Sequence, residues 1–162
     1  MPSKPHDTQP SLLIGVISDT HGMLRPEAVG ALDGVDHILH AGDVGDAAIL
    51  TRLREIAPLT AIRGNVDEHG HCSRLPAYEV VDFLGHSMYM LHDHHTLDLD
   101  PVAAGFAAII SGHSHKPLIE WSRGILYFNP GSAGPRRFSL PVSIGFVRVS
   151  KAGLEPSLRT IV

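Results

Sequence analysis

Short apolar segments that stop abruptly at small polar residues are the feature that most constrains this fold. In the first part of the chain they alternate with helical patterns, with strands predicted over 12–18, 36–41 and 59–63 and helices over 26–32 and 47–56. Repeated strand–loop–helix units are typical of a parallel sheet covered by helices. The pattern therefore predicts an α/β arrangement for this part of the chain.

The second half of the chain changes to a mostly antiparallel pattern. Three hairpins are predicted, pairing 78–84 with 87–91 around Gly85-His86, 118–122 with 125–128, and 142–149 with 154–161. A short helix at 101–105 precedes a buried strand at 107–110. We therefore predict one α/β domain with mixed sheets over residues 11–162, preceded by a flexible N-terminal tail over residues 1–10.

Composition excludes several classes of protein and site. The 162 residues match the length of one domain, and the formal net charge of −4 disfavours a non-specific nucleic-acid binder. The single cysteine, Cys72, excludes an internal disulfide and a cysteine-based zinc site. The chain has no apolar segment near the roughly 20 residues that span a membrane and no signal-like N-terminus, so we expect a cytoplasmic protein with no membrane partner.

Seven side chains that can bind metals stand directly after predicted strands. They are Asp19, His21, Asp43, Asn65, His92, His113 and His115. The carboxyl ends of strands in open α/β sheets are where ligands collect. Oxygen and nitrogen donors without sulfur suit manganese, zinc, iron, nickel or cobalt better than copper(I) or calcium. With one bridging carboxylate, the set provides four ligands for each of two cations, an arrangement that serves phosphoester displacement.

The order of these residues resembles a known family. Asp19-x-His21, Gly42-Asp43, Gly64-Asn65, His92 and Gly112-His113-Ser114-His115 resemble the five ordered motifs of the calcineurin-like metallophosphoesterases. The later segment Asn129-Pro130-Gly131-Ser132, followed by Pro135-Arg136, is similar to the small YfcE-type phosphodiesterases. The resemblance implies a four-layer αββα sandwich of two mixed β-sheets flanked by helices.

The resemblance also implies a site and an activity. Asp19, His21 and His115 would hold one metal ion, Asn65, His92 and His113 a second, and Asp43 would bridge them. Manganese is the expected metal, and a hydroxide shared by the two ions would attack phosphorus. Asp43, Asn65 and His92 are the expected catalytic residues, with Asn65 and Arg136 contacting the substrate.

The implied function is a metal-dependent phosphodiesterase that hydrolyses small phosphodiesters. The expected partner is a small phosphoester, and the oligomeric state is left open, with a homo-oligomer as one alternative. A different class of function is a non-catalytic scaffold that resembles the retromer subunit of the same fold.

Two positions depart from the family pattern. Val66 stands where many members have a histidine that protonates the leaving group, so the general acid is unassigned and His69, His71 and His94 are candidates. Asp93 replaces the usual glycine between two histidines, where a positive φ would be costly. We favour His92 over His94 as the ligand because His92 ends its strand.

Other residues have a structural as well as a functional interpretation. Asn129-Pro130-Gly131-Ser132 is either a simple turn or a loop near the metals, with Arg136 or Arg137 contacting phosphate. Asp67 is a candidate acceptor for the second N–H of a metal-binding histidine. Structural or surface roles are expected for six further residues. These are His6, His37, His40, Cys72, His86 and Trp121.

Overall fold

The first of two five-stranded sheets combines three parallel strands with an antiparallel hairpin. Its strands, numbered in chain order, are β1 (Ser11–Ile17), β2 (His37–His40), β3 (Leu59–Ala61), β9 (Ser143–Ser150) and β10 (Gly153–Thr160). The spatial order is β10-β9-β1-β2-β3, with β1, β2 and β3 parallel to one another. The loops that follow β1, β2 and β3 therefore begin at the same edge of the sheet. The computed structural model describes residues 9–162.

The second sheet is also mixed. Its strands are β4 (Tyr78–Phe83), β5 (His86–Leu91), β6 (Ala108–Ile110), β7 (Leu118–Ser122) and β8 (Ile125–Asn129), in the order β4-β5-β6-β8-β7. The central strands β5, β6 and β8 are parallel, and β4–β5 and β7–β8 are hairpins. The inner faces of the two sheets share one core, in which Val16 and Leu39 belong to the same buried cluster as Met90 and Phe128.

Helices cover the outer faces of both sheets. Helices α1 (Pro26–Ala31) and α2 (Ala47–Arg54) pack on the first sheet through residues such as Leu32 and Leu53. The second sheet has a thinner cover, made of helix α3 (Pro101–Ala104) and a 3₁₀ helix over His94–Thr96. A second 3₁₀ helix spans His71–Arg74. The predicted αββα sandwich is confirmed. No helix among residues 9–162 is long and apolar enough to cross a membrane.

The predicted strands and helices all form, with ends displaced by at most two residues. The predicted position of one turn is wrong by one residue. Phe83 pairs with His86, so the turn consists not of Gly85 and His86 but of Leu84 and Gly85. Both of these residues have positive φ, 50° and 87°, as a type I′ turn requires. Trp121, for which core or hairpin packing was expected, lies in the β7–β8 hairpin on the edge strand β7 and is 51% exposed.

The structural roles expected for four other residues are confirmed. The ring Nε2 of His37 lies 2.8 Å from Thr60 Oγ1, and that of His86 lies 2.8 Å from the carbonyl oxygen of Ser150. Cys72 is buried in the core beneath α1 and α2, and burial raises the pKa of its thiol. His40 is fully buried. His6, and with it most of the predicted tail, lies outside the described residues.

His40 joins the loops that follow β1 and β2. The Gly42 N–H donates to His40 Nδ1 at 3.1 Å, so the ring proton is on Nε2, which donates to Thr20 Oγ1 at 3.0 Å. The Thr20 hydroxyl in turn donates to the carbonyl oxygen of Val44 at 2.8 Å. The imidazole is therefore satisfied while neutral, and complete burial lowers its pKa to about 4.

We expect His40 to make the metal-free fold sensitive to acid. Between its unfolded pKa of about 6.5 and its folded pKa of about 4, the unfolded chain binds the proton and the native chain does not. The free energy of unfolding should therefore fall as pH falls through this window, by about 3 kcal/mol in total. Urea unfolding in EDTA at a series of pH values measures this. His40→Gln should flatten the curve, and an equally steep curve in that variant would contradict the assignment.

Candidate metal centre

The loops after β1 and β2 run side by side and hold three of the predicted ligands together. Backbone hydrogen bonds link Asp19 N–H to the Gly42 carbonyl at 3.0 Å and His21 N–H to the Asp43 carbonyl at 2.9 Å. A third joins Gly22 N–H to the Val44 carbonyl at 2.8 Å. The parallel pairing of β1 with β2 thus continues past the strands, so Asp19, His21 and Asp43 project from adjacent positions.

One group of donors consists of Asp19, His21 and His115. Asp19 Oδ1 lies 3.4 Å from His115 Nε2 and 3.7 Å from His21 Nε2, and the two ring nitrogens are 3.3 Å apart. Bonds of about 2.1 Å to one metal ion place neighbouring ligand atoms about 3.0–3.4 Å apart. The three donors therefore have nearly the separation that a shared cation requires.

Asp19 presents one satisfied and one unsatisfied carboxylate oxygen. Oδ2 accepts hydrogen bonds from Ser18 Oγ at 2.8 Å and from His113 N–H at 3.1 Å. Oδ1 is buried and has no hydrogen-bond partner in the described part of the chain, although it faces the imidazoles. A buried carboxylate oxygen without a donor is costly unless a cation neutralises it. The residues present therefore fit a metal ion at this position.

Asp43 faces both sides of the site. Its Oδ2 lies 3.5 Å from His21 Nε2 and 3.2 Å from His92 Nε2, while Oδ1 accepts the Val66 N–H at 3.0 Å. The carboxylate is thus anchored through one oxygen and offers the other to donors from two groups. This is the geometry expected of a bridging ligand. His92 also lies near Asp19, with 3.8 Å between Nε2 and Oδ1.

Asn65 and His113 extend the cluster on the His92 side. The Asn65 side-chain oxygen lies 3.3 Å from His113 Nδ1, and the same end of the amide is 3.0 Å from His92 Nε2 and 3.1 Å from Asp43 Oδ2. In the metal-free protein, an amide N–H turned to this side would donate to both acceptors. With the oxygen there, the atoms form a set of acceptors that a cation can hold together.

His92 has the fixed orientation that metal-binding histidines need. Its Nδ1–H donates to the Ala41 carbonyl at 2.7 Å, which fixes the ring with Nε2 facing Asp43, where it could bind a cation. Residues 9–162 provide no such partner for His115, whose Nδ1 is buried without a hydrogen bond among them. The expectation that Asp67 serves a histidine is wrong. Its carboxylate instead accepts backbone N–H groups of Val44, Gly45 and Gly64, because it lies inside the turns that follow β2 and β3.

The ionisation of the site follows from these contacts. Burial alone would raise the pKa of Asp19, but contacts with His115 and His21 outweigh it and hold that pKa well below its usual value. Burial is likewise outweighed at Asp43, where His92 and the Val66 N–H lower the pKa. At His92, burial is outweighed by Asp43 and the Ala41 carbonyl, so the pKa is raised. Two ionised carboxylates thus face imidazoles, an arrangement that attracts cations.

Backbone strain is concentrated at the predicted ligands. Among the described residues, eight other than glycine have positive φ, and five of them belong to the predicted set. These five are Asp19 (54°), His21 (46°), Asp43 (56°), His113 (71°) and His115 (62°). A left-handed conformation costs a residue with a side chain about 1–3 kcal/mol. Strain of this kind persists where surrounding structure enforces it, as it does at functional sites.

Two glycines leave the space that the ligands occupy. A Cβ at Gly42, where φ is 103°, would lie 2.6 Å from His92 Nδ1. A Cβ at Gly64 would overlap the carboxylate of Asp43. Any side chain at either position would displace a predicted ligand, which explains why glycine precedes both Asp43 and Asn65.

The segment Asn129–Ser132 supports the ligand loops from behind. The buried Asn129 amide donates to the Gly112 carbonyl at 2.8 Å and to Ser114 Oγ at 3.1 Å. The Ser132 hydroxyl donates to the Asp19 carbonyl at 3.0 Å. The sequence was compatible both with a simple turn and with a phosphate-binding loop. These contacts favour a third role, in which the segment positions the ligand loops. The polar side chains of this motif were the only sequence signal for that role.

Several residues besides the metal ligands are candidates for substrate contact or for the general acid. Arg136 Nη2 donates to the carbonyl oxygen of Val162 at 3.1 Å, so its contact with a substrate stays a prediction. His69 and His71 are exposed, and His94 Nδ1 lies 3.5 Å from Ser111 Oγ. The strain expected at Asp93 is wrong, because its φ is −120° and the preceding strand simply continues into a 3₁₀ turn.

Two sequence relatives are named as probable metallophosphoesterases. The chain is 38% identical over 135 residues to a probable metallophosphoesterase of Methanocaldococcus jannaschii, covering 75% of this chain and 68% of the relative. It is 35% identical over 158 residues to a probable metallophosphoesterase of Methanothermobacter thermautotrophicus, covering 91% of each.

Solved structures share the fold at lower identity. An archaeal phosphodiesterase superposes with a TM-score of 0.75 at 21% identity, covering 91% of this chain and all of the other. Escherichia coli YfcE, a phosphoesterase, superposes with a TM-score of 0.67 at 22% identity, covering 93% of this chain and all of the other. Vacuolar Protein Sorting 29 from Cryptosporidium parvum superposes with a TM-score of 0.74 at 17% identity, covering 92% of this chain and 97% of the other.

The family suggested by the five ordered motifs is also the family of the sequence relatives. The family model of the calcineurin-like phosphoesterase superfamily domain matches residues 12–152, nearly the whole described chain. The chain therefore belongs to the calcineurin-like phosphoesterase superfamily.

Proposed function

We propose that this chain is a metal-dependent phosphodiesterase that hydrolyses small phosphodiesters with two divalent cations, manganese being the favoured metal. Asp19, His21 and His115 hold one cation, and Asn65, His92 and His113 hold the other. The observation that carries the proposal is the position of Asp43, whose Oδ2 lies within 3.5 Å of ring nitrogens from both groups.

The contacts of these residues indicate a different role for each of them. Two bound cations would ionise water near neutral pH and neutralise negative charge on the phosphoryl group. Asp43 would contact both cations, and its Oδ1 is held by the Val66 N–H. Asn65 and the half-exposed His113 stand at the open side, where a phosphoester can approach. Cys72 is buried with a raised pKa and is not needed as a nucleophile.

Diester hydrolysis is favoured by the openness of the site. A diester carries an organic group on each side of phosphorus, and the exposed rim at Asn65 and Val66 leaves room for both. The archaeal neighbour named as a phosphodiesterase supports the same choice.

We expect the wild-type protein to bind two manganese ions per chain after chelation and reloading. At a free concentration 100 times the dissociation constant, one bound ion adds about 2.7 kcal/mol to the free energy of unfolding. Elemental analysis and thermal unfolding measure both effects. His115→Ala should retain about one ion per chain. A wild-type stoichiometry of one would contradict the dinuclear proposal.

Asp43→Asn should lower turnover of bis-(p-nitrophenyl) phosphate by more than about 100-fold, because both cations lose a charged ligand. The rates are compared at saturating manganese. Asp33→Asn is a matched control, since Asp33 is an exposed carboxylate outside the predicted ligand set. Near-normal activity in Asp43→Asn would disprove the bridging role.

Val66 predicts a preference for leaving groups of low pKa. Its side chain is 46% exposed beside Asn65 and has no proton to donate, so alkyl esters should react slowly. Val66→His should raise kcat/KM for alkyl esters by about 100-fold while changing nitrophenyl esters little. Val66→Gln is the control, because an amide is polar but not a general acid. Equal wild-type rates on both ester types, with chemistry rate-limiting, would refute this prediction.

A non-catalytic scaffold is the second candidate. The likeness of this fold to Vacuolar Protein Sorting 29 favours it, but all seven predicted ligands are present in this chain. Protein that binds manganese yet shows no turnover of bis-(p-nitrophenyl) phosphate with manganese, nickel or zinc would support the scaffold over the enzyme.

A further inference from the structure

A cavity opens directly beside the proposed second cation. It measures about 330 Å³, and one wall consists of Asn65, His92 and His113. Arg63, Tyr78 and Thr96 contribute to the remaining walls. A phosphoester held at the metal centre would thus have one of its organic groups next to this cavity.

The aromatic wall of the cavity is a fixed platform. Tyr78 stacks on Tyr89 with 6.0 Å between ring centroids and an interplanar angle of 16°. Tyr89 packs in turn on Phe106 at 5.2 Å. Tyr78 nevertheless remains 56% exposed. A supported but exposed ring loses little conformational entropy when a second flat ring stacks on it.

The polar wall is also held in place. Arg63 Nη1 donates to the Leu75 carbonyl at 2.8 Å, and its backbone N–H donates to the Pro76 carbonyl at 2.9 Å. The planar guanidinium keeps further N–H donors and can also stack on a base. Asp93 also lines the cavity; its Oδ1 accepts the His95 N–H at 3.0 Å, its Oδ2 lies 3.8 Å from His113 Nε2, and the carboxylate can accept further hydrogen bonds. Donors, an acceptor and a flat ring together suit a heteroaromatic ring with polar edges.

We propose that this cavity binds the nucleobase and sugar of a nucleotide, so that the substrates are nucleotide phosphodiesters. This inference rests on the proposed function, because it assigns the substrate class of the same centre. A nucleoside is favoured over a simple phenyl group because the cavity is larger than one ring and carries polar groups at two walls. Tyr78 stacks on the base, and Arg63 and Asp93 bind its polar edge or the sugar hydroxyls.

Calorimetric titration of the manganese-loaded protein tests the proposal with two probes, a nucleotide and the sugar phosphate that lacks its base. Adenosine 5′-monophosphate should bind about tenfold more tightly than ribose 5-phosphate, since stacking on one aromatic ring strengthens binding by about 5- to 150-fold. Tyr78→Ala should bring the two dissociation constants within about twofold of each other. Tyr78→Phe should keep the difference, and so should Trp121→Ala, which removes an exposed aromatic residue outside the cavity.

The outcomes separate this inference from the proposed function. If ribose 5-phosphate binds but adenosine 5′-monophosphate binds no more tightly in the wild-type protein, the nucleotide pocket is wrong and the metal centre stands. A tenfold difference that survives Tyr78→Ala would also overturn the role of this cavity. If neither phosphate binds and manganese is not retained, the proposed function is wrong. The nucleotide pocket is then also wrong, because it depends on that function.

Discussion

The pairing between the loops after β1 and β2 is the constraint on which the site depends. Three backbone hydrogen bonds, from Asp19, His21 and Gly22, extend the parallel ladder beyond the strands. To keep this pairing, Asp19, His21 and Asp43 adopt positive φ, which costs free energy but directs their side chains to one point. The buried links of His40, Asn129 and Ser132 hold the loops in this strained form.

Electrostatics and packing reinforce one another at this point. Asp19 and Asp43 are buried beside each other, yet both keep lowered pKa values because imidazoles face them. The glycines at 42 and 64 allow the backbone to come close enough for this arrangement. The site therefore concentrates negative charge in a place of low polarity, where a divalent cation interacts strongly and water competes weakly.

Local pattern predicted most of the fold, and its errors are instructive. Strand positions followed from apolar segments because burial on both faces leaves a continuous hydrophobic signal. The turn at Leu84-Gly85 was misplaced by one residue. Leu84 adopts a positive φ, which is rare for leucine and cannot be predicted from the residue type. For Trp121 the sequence left core and hairpin packing as alternatives, and only the order of strands reveals that β7 is an edge. Asp67 was a candidate acceptor for a histidine, but its carboxylate accepts three backbone N–H groups instead.

The sequence by itself determined the types of donor, their order along the chain and their position at strand ends, since these depend on short-range patterns. Tertiary structure decided which donors meet: that Asp43 stands between His21 and His92, and that Asn129 and Ser132 hold the ligand loops. It also decided that Tyr78, more than a dozen residues from Asn65 and His92, shares a cavity with both. Such contacts join residues distant in sequence, and only the stacking of two sheets fixes their distances.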